Sequence, residues 1–128
     1  MNVPSNLFYT KEHEWAKIEG NKATIGITDY AQSSLGDITF VELPEVGKEC
    51  KQFSEFATVE SVKAASSVYA PLSGKVVKVN EEIKNNPEAI NQSPYENGWF
   101  VVIEISNEKE KDNLLKDSDY NNYLQELS

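Results

Sequence analysis

The sequence has 128 residues, of which 39% are hydrophobic and 10% aromatic, and this length and composition are typical of one globular domain. We therefore predict a single domain over residues 1–128, which is too short for a two-domain cofactor enzyme. The chain carries 21 acidic and 12 basic residues, for a net charge of −9, and every basic residue is lysine. Without arginine or a basic patch, neither nucleic acid nor an anionic membrane is an expected partner, whereas an acidic surface suits repeated encounters with other proteins.

Few residues are available for metal or disulfide chemistry. Cys50 is the only cysteine and His13 the only histidine, so an internal disulfide is impossible and a Cys/His zinc site lacks ligands. The longest apolar run, from Trp99 to Ile103, is far shorter than the ~20 residues of a membrane helix. The start of the chain lacks the basic and apolar regions of a secretion signal. We predict a soluble, cytoplasmic protein without a metal site.

Alternation of apolar and polar residues dominates the pattern and predicts β-strands. On either side of Gly20-Asn21 it predicts a hairpin between residues 16–18 and 23–27. Asp29 is predicted to cap a helical turn over residues 30–35, which Gly36 ends. The remaining predicted strands cover residues 38–41, 53–61, 65–69, 75–79 and 99–105.

Two helical segments are predicted in the last third of the chain. Asn86-Pro87-Glu88 has the pattern of a cap and first position of a short helical turn, and residues 91–98 are predicted to form a loop. A C-terminal amphipathic helix is predicted behind Asp117-Ser118, with one face on the sheet, because apolar residues recur at i, i+3, i+4 and i+7. These residues are Tyr120, Tyr123, Leu124 and Leu127.

Residues 36–41 resemble residues 74–79 at an offset of 38 positions, and each block follows a Tyr-Ala pair. The similarity indicates either two related β-halves or a chance match between β-rich stretches. Between the two blocks, Lys63 falls where a hairpin would turn. Such a lysine is commonly a solvated charge at a sheet edge. A carrier lysine needs the same exposure together with small neighbours, and Ser61, Ala64 and Ala65 are small.

Residues 57–66, continuing through residues 69–74, closely resemble the lipoyl-attachment segment of the glycine cleavage system H protein family. Biotin carriers usually have methionine on both sides of the lysine, and dehydrogenase lipoyl domains usually have Asp-Lys-Ala, whereas this chain has Val62-Lys63-Ala64. The resemblance extends over nearly the whole chain. Its other segments are residues 13–15, 26–32, 36–38, 41–44, 86–87, 93–95 and 98–99.

This resemblance implies a mainly β fold, a barrel-sandwich hybrid of the lipoyl and biotinyl type. Two pseudo-symmetric sheets, short helices and the C-terminal helix are its expected parts. It also implies that the protein is not an enzyme but a shuttle that carries (R)-lipoate on Lys63, so that the chemistry belongs to the cofactor and to partner enzymes.

The resemblance further implies which enzymes the shuttle serves. An aminomethyl group would pass from the pyridoxal-phosphate glycine decarboxylase (P protein) to the tetrahydrofolate-dependent aminomethyltransferase (T protein). Electrons would then pass to dihydrolipoamide dehydrogenase (L protein) by thiol–disulfide exchange. A lipoate ligase or a lipoyl/octanoyl transferase would modify Lys63.

Three residues are expected, from the same resemblance, to serve recognition by the modifying enzyme. Glu60 is expected to be read by that enzyme, the alternative being an ordinary solvated carboxylate on a strand. Gly47 and Gly74 are expected to place turns at corresponding ends of the two halves.

The loaded arm, meaning the lipoyl group with its aminomethyl cargo, is expected to lie along the protein surface. Glu12 and Glu14 are the candidates to hold its amine, although both could equally be solvated acidic residues. The family often has aspartate where this chain has Ser67, and serine cannot supply a charge at that position.

The sequence is also compatible with two alternative functions. A related carrier could act mainly as a relay, handing octanoyl or lipoyl groups to dehydrogenase subunits, or serve a stress-linked lipoyl modification system. A hydrolase using Cys50 and His13 is the enzyme alternative, but we expect His13 to be packed or at the surface and Cys50 to be an inert thiol.

Overall fold

Two antiparallel sheets organise the computed structural model, which describes residues 1–127. The large sheet has six strands in the order β1-β2-β3-β9-β8-β5, and the small sheet has three in the order β4-β6-β7. The strands are β1 (Phe8–Tyr9), β2 (Glu14–Glu19), β3 (Lys22–Ile27), β4 (Ile38–Glu42), β5 (Glu49–Cys50), β6 (Glu55–Ser61), β7 (Ala65–Tyr69), β8 (Gly74–Val79) and β9 (Val101–Ile105). The helices are α1 (Asp29–Leu35), α2 (Glu82–Asn85), α3 (Glu88–Gln92), a 3₁₀ helix (Glu108–Asn113) and α4 (Asp117–Glu126).

This arrangement confirms the predicted class, a mainly β two-sheet fold with short helices and a C-terminal helix. Both sheets are open over residues 1–127, so the described strands form no closed barrel. The predicted hairpin at Gly20-Asn21 joins β2 to β3, and Gly20 has a φ of 63° that glycine adopts without a Cβ penalty. The two similar sequence blocks fall on β4 and β8, one in each sheet.

Several predicted boundaries are corrected. Thr28, not Asp29, caps α1, because its Oγ1 accepts a hydrogen bond from Ala31 N, three residues on, as an N-cap side chain does. The predicted loop over residues 91–98 begins later, since α3 continues to Gln92. The strand predicted from residue 53 begins at Glu55, because Phe53 lies in a turn with a φ of 65°.

The core fills the space between the two sheets and is made of small and β-branched side chains. Its fully buried members include Ala16, Ile25, Val59, Val76 and Ile103. Val59 of β6 and Val68 of β7 point into this core. Because successive strand residues point to opposite sides, the residues next to them in sequence point away from the core. The core therefore determines which face of the small sheet is presented to partners.

A second, smaller apolar cluster attaches the C-terminal helix α4. Tyr120 is fully buried and stacks on Tyr9 of β1 with ring centroids 4.6 Å apart. Leu127 does not complete the predicted apolar face: it follows the last helical residue and is 45% exposed. No helix within residues 1–127 is both long and apolar enough to cross a membrane.

Candidate functional site

Lys63 lies at the tip of the hairpin formed by β6 and β7, as the sequence predicts. Glu60 and Ala65 are the last paired residues before the turn. Within the turn, Ser61 N donates to Ala64 O at 2.7 Å, and Ser61 Oγ accepts from Ala64 N at 3.1 Å and Lys63 N at 3.3 Å. The turn is closed by its own backbone and one serine, which leaves the exposed Lys63 side chain outside this network.

The hairpin tip is also attached to the segment that precedes β4. Val62 N donates to Asp37 O at 3.0 Å. A Cβ placed on Gly36 would lie 3.5 Å from Lys63 Cε, so the lysine stem passes close to the bare backbone of Gly36. The φ of 78° at Gly36 is a second reason for glycine at this position.

Asn91 holds the segment that precedes β4 in place. It is a positioning residue that the sequence analysis missed. Its Nδ2 donates to Gly36 O at 2.9 Å, and its Oδ1 accepts from Ile38 N at 2.9 Å. The same Nδ2 donates to Gln32 of α1 at 3.0 Å. Asn91 thereby joins α3, α1 and the start of β4 beneath the lysine hairpin. In the sequence, the one indication of this role was a polar side chain in a segment predicted to be a loop.

The Lys63 ammonium makes no salt bridge among residues 1–127, where the one pair is Lys84 with Glu81. An exposed amine without an ion-pair partner needs no rearrangement of neighbouring charges before it enters another protein's pocket. The structure therefore suits Lys63 as a covalent attachment point.

The three residues predicted to serve modification occupy different environments. Glu60 is exposed on β6 beside the turn. Gly47 lies in a turn before β5 with a φ of 99°, whereas Gly74 is buried within β8 rather than in a turn. A Cβ on Gly74 would lie 2.3 Å from the carbonyl oxygen of Glu104, so glycine is required there by close strand packing. Their part in recognition stays a prediction.

We expect Glu60→Gln to slow acylation of Lys63 about tenfold, the effect of losing one hydrogen bond to a charged group. The melting curve should barely change, because an exposed carboxylate contributes little to stability. Initial rates with a lipoate ligase, followed by intact mass, measure the effect, and Glu19→Gln on β2 is the matched control. Equal rates for Glu60→Gln and Glu19→Gln would return Glu60 to an ordinary solvated role.

A cleft of about 460 Å³ opens between β1, the segment after it and the end of β7. Glu12 lines this cleft and is exposed. Ser67 is half-buried two residues before Tyr69, on the same side of β7. The lining residues are Tyr9, Thr10, Lys11, Glu12, Phe53, Tyr69, Asn113 and Leu115.

Glu14 is only 2% exposed and is bonded to two residues of the cleft lining. Thr10 Oγ1 donates to Oε1 at 2.5 Å, and Tyr69 N donates to Oε2 at 3.1 Å. Burial raises the pKa of Glu14 to about 7, while the two hydrogen bonds act in the opposite direction. Glu14 thus connects β2 of the large sheet to β7 of the small sheet.

His13 and Cys50 do not form a catalytic pair. His13 Nδ1 lies 2.8 Å from Tyr120 Oη, and its ring packs 4.4 Å from the Tyr30 ring. Burial lowers the His13 pKa and raises that of Cys50. Cys50 lies in β5, at the edge of the large sheet away from β1 and β2. Within residues 1–127, no three His, Cys, Asp or Glu side chains are grouped as a metal would require.

The profile of one family, described as Glycine cleavage H-protein, matches residues 7–127. The chain belongs to the glycine cleavage H-protein family. The glycine cleavage system H protein of Halothermothrix orenii is 54% identical over 127 residues, which cover 99% of each chain. That of Carboxydothermus hydrogenoformans is 56% identical over 124 residues, which cover 97% of this chain and 95% of the relative.

A solved structure of this family has the same fold. The crystal structure of a glycine cleavage system H protein from Mycobacterium marinum matches with a TM-score of 0.87 and 34% identity, over 96% of this chain and 99% of that one. As a glycine cleavage H-protein, the chain is a carrier in that system and not itself a catalyst.

Proposed function

We propose that this chain carries (R)-lipoate in amide linkage to Lys63 Nζ. The observation that supports the proposal is the exposed, unpaired lysine on a turn fixed by Ser61 and Asp37, within the segment that resembles lipoyl-attachment sites. A dithiolane held there would supply redox and group-transfer chemistry. The protein's own residues present the group and shelter it.

The enzymes served by this carrier are glycine decarboxylase, aminomethyltransferase and dihydrolipoamide dehydrogenase. A lipoate ligase or a lipoyl/octanoyl transferase modifies Lys63. The net charge of −9 and the absence of arginine support protein partners over nucleic acid or membranes, since no basic patch is available to bind phosphate. A cytoplasmic location belongs to the same proposal.

Reconstitution tests this function. The chain is acylated with a lipoate ligase, ATP and lipoate, and is then added as the one carrier to purified P, T and L proteins with glycine, tetrahydrofolate and NAD⁺. Glycine-dependent NADH formation is the expected result. In a second arm, the acylated chain is mixed with an unmodified dehydrogenase lipoyl domain and an acyltransferase. Acyl transfer to that domain without NADH formation in the first arm would favour the relay function instead.

The cleft beside β7 is the proposed resting place of the loaded arm. Glu12 contributes a carboxylate to its lining, and Glu14 acts from behind Thr10 and Tyr69. Ser67, outside the lining and two residues before Tyr69, has a hydroxyl but no charge. A carboxylate near the amine would slow loss of the aminomethyl group to water, because a hydrogen bond to a charged group contributes about 1.5–3 kcal/mol.

We expect Glu12→Gln to shorten the lifetime of the loaded protein by about tenfold, the consequence of losing one such interaction. Glu14→Gln should shorten it less, because the buried Glu14 acts only by holding Thr10 and Tyr69 of the cleft lining in place. Ser67→Asp should lengthen it by adding a charge. Spontaneous ammonia release from the purified loaded protein, without the aminomethyltransferase, gives the rate. Lifetimes equal to that of the parent in both glutamine variants would rule out the holding role of these carboxylates.

A further inference from the structure

The outer side of the small sheet presents a row of residues next to Lys63. Phe40 of β4 is paired with Glu60 of β6, and Glu60 with Ala65 of β7. Directly paired residues of antiparallel strands point to the same side, so these three form one row. The next row along the strands is Glu42, Thr58 and Ser67. We call these six residues the carrier face.

The carrier face has one large exposed apolar side chain, Phe40 on the edge strand β4, in the row next to the hairpin tip. Phe40 is 50% exposed although the neighbouring Val41 is 97% buried in the core, with only 3% exposure. Val62, beside Lys63 in the turn, is 70% exposed and is held in place by its hydrogen bond to Asp37 O. Phe40 on the strand paired with β6 and Val62 in the turn are thus two exposed apolar side chains on the elements next to Lys63.

The charge around this surface has one sign. The strands of the small sheet carry Glu42, Glu55 and Glu60 and no basic residue, and Lys63 is the one lysine between Lys51 and Lys75. Acylation of Lys63 turns its ammonium into a neutral amide, which leaves the charge of the face wholly acidic. A protein that binds here needs an apolar recess bordered by basic side chains.

We infer that the carrier face is the docking surface for the enzyme that acylates Lys63, with Phe40 as its apolar anchor. This inference rests on the proposed attachment of lipoate to Lys63. The reacting atom in that step is Nζ itself, so the acylating enzyme has to cover the residues around the hairpin tip. An enzyme that acts on the far end of a long arm has no such need.

The chemical step is an acyl transfer from lipoyl adenylate, formed by the ligase from lipoate and ATP. The lysine nitrogen forms a bond to the acyl carbon as the bond from that carbon to the AMP phosphate oxygen breaks. AMP leaves with the electron pair, and the ammonium gives up two protons in becoming the amide. The carrier face takes no part in this bond exchange and contributes to encounter and binding alone.

The test measures initial rates of Lys63 lipoylation by a lipoate ligase, with ATP and lipoate, against the concentration of the unmodified protein. Phe40→Ala should raise KM about tenfold, as loss of an interface anchor does, and leave kcat within about twofold. Phe40→Leu should recover part of the affinity. A purely structural role of Phe40 would lower the melting temperature instead, without this separation of KM from kcat.

Two matched pairs of variants control for general effects. Val62→Ser should raise KM, whereas Val77→Ser, at an exposed valine of β8 in the other sheet, should not. Glu42→Lys and Glu19→Lys change the net charge equally, and each replaces the last residue of its strand. Only Glu42→Lys should raise KM strongly. Added NaCl should raise the KM of the parent, because salt screens complementary charges, and it should raise the KM of Glu42→Lys less.

The outcomes separate this inference from the proposed function. Lipoylation of the parent at Lys63, with the KM of Phe40→Ala, Val62→Ser and Glu42→Lys unchanged, would overturn the docking surface and leave the attachment site standing. An effect of equal size in the control variants would overturn it as well. No lipoyl mass on the parent protein would overturn both.

Discussion

Lys63→Arg should abolish lipoylation of this protein completely. The guanidinium stays protonated and cannot act as an acyl acceptor, although it keeps the positive charge and the length of the side chain. The turn itself should persist, because its hydrogen bonds use the backbone of Val62 and Ala64 and the Ser61 hydroxyl. Coexpression with a lipoate ligase and lipoate, followed by intact mass and peptide sequencing, measures the loss.

Lys17→Arg, at an exposed lysine of β2, is the control and should be lipoylated like the parent. The melting temperature of Lys63→Arg should match that of the parent, which would show that the hairpin is intact. A lipoyl mass on the Lys63→Arg protein would contradict the assignment of Lys63, whatever its level.

Glu14→Gln should change how stability depends on pH. Burial raises the pKa of Glu14 in the folded protein from its ordinary 4.5 to about 7, so the folded state favours the protonated carboxyl. Between these two pKa values the folded protein binds more protons than the unfolded chain. The stability contribution of Glu14 is therefore fully present below about pH 4.5 and is lost as the pH rises through about 7.

The loss is on the order of 3 kcal/mol, the free energy that corresponds to this change in pKa. Glutamine is neutral at every pH, so the stability of Glu14→Gln relative to the parent should increase by about this amount between pH 4 and pH 8. Burial lowers the His13 pKa, which acts in the opposite direction, but His13 is common to both proteins and cancels in the difference. Urea unfolding at several pH values measures it.

Glu19→Gln is the matched control for this measurement. Glu19 is an exposed carboxylate of the same strand, and its replacement leaves Glu14 and its hydrogen bonds in place, so a change that it shares with Glu14→Gln is a general effect of charge. Parallel stability curves for the parent and Glu14→Gln would show that Glu14 titrates normally in the folded protein.

Much of the β architecture could be predicted because its signals are local. Alternation around Gly20-Asn21 is sufficient for the hairpin of β2 and β3, and the strand signals on both sides of Lys63 are sufficient for the tip of β6 and β7. The cap of α1 was misplaced by one residue, because Thr28 and Asp29 are both competent capping residues. The bond from Ala31 N to Thr28 decides between them. The strands β1 and β5 were missed, since two residues contain no period.

The environment of the site residues could not be predicted, because it is built from distant parts of the chain. Glu14 stands between His13 and Trp15 in what resembles an exposed acidic stretch, yet it is buried, and the N–H of Tyr69, 55 positions away, satisfies one of its oxygens. Asn91 reaches Gly36 across 55 positions. Pairings of this kind arise from the packing of elements that are far apart in the chain, on which the local sequence pattern carries no direct signal.

The hairpin tip is fastened to Asp37, and Asn91 secures the segment around Asp37, so the tip has little freedom of its own. A group attached to Lys63 therefore moves about a fixed backbone position. The distance that it can cover is limited by the length of the lysine side chain and of the attached group. For such a tether the local concentration at any point within reach depends on that length and not on a flexible linker. The cleft and the active site of a bound partner therefore compete for the group according to their distances from Lys63. A longer turn would lower the local concentration of the group at both sites.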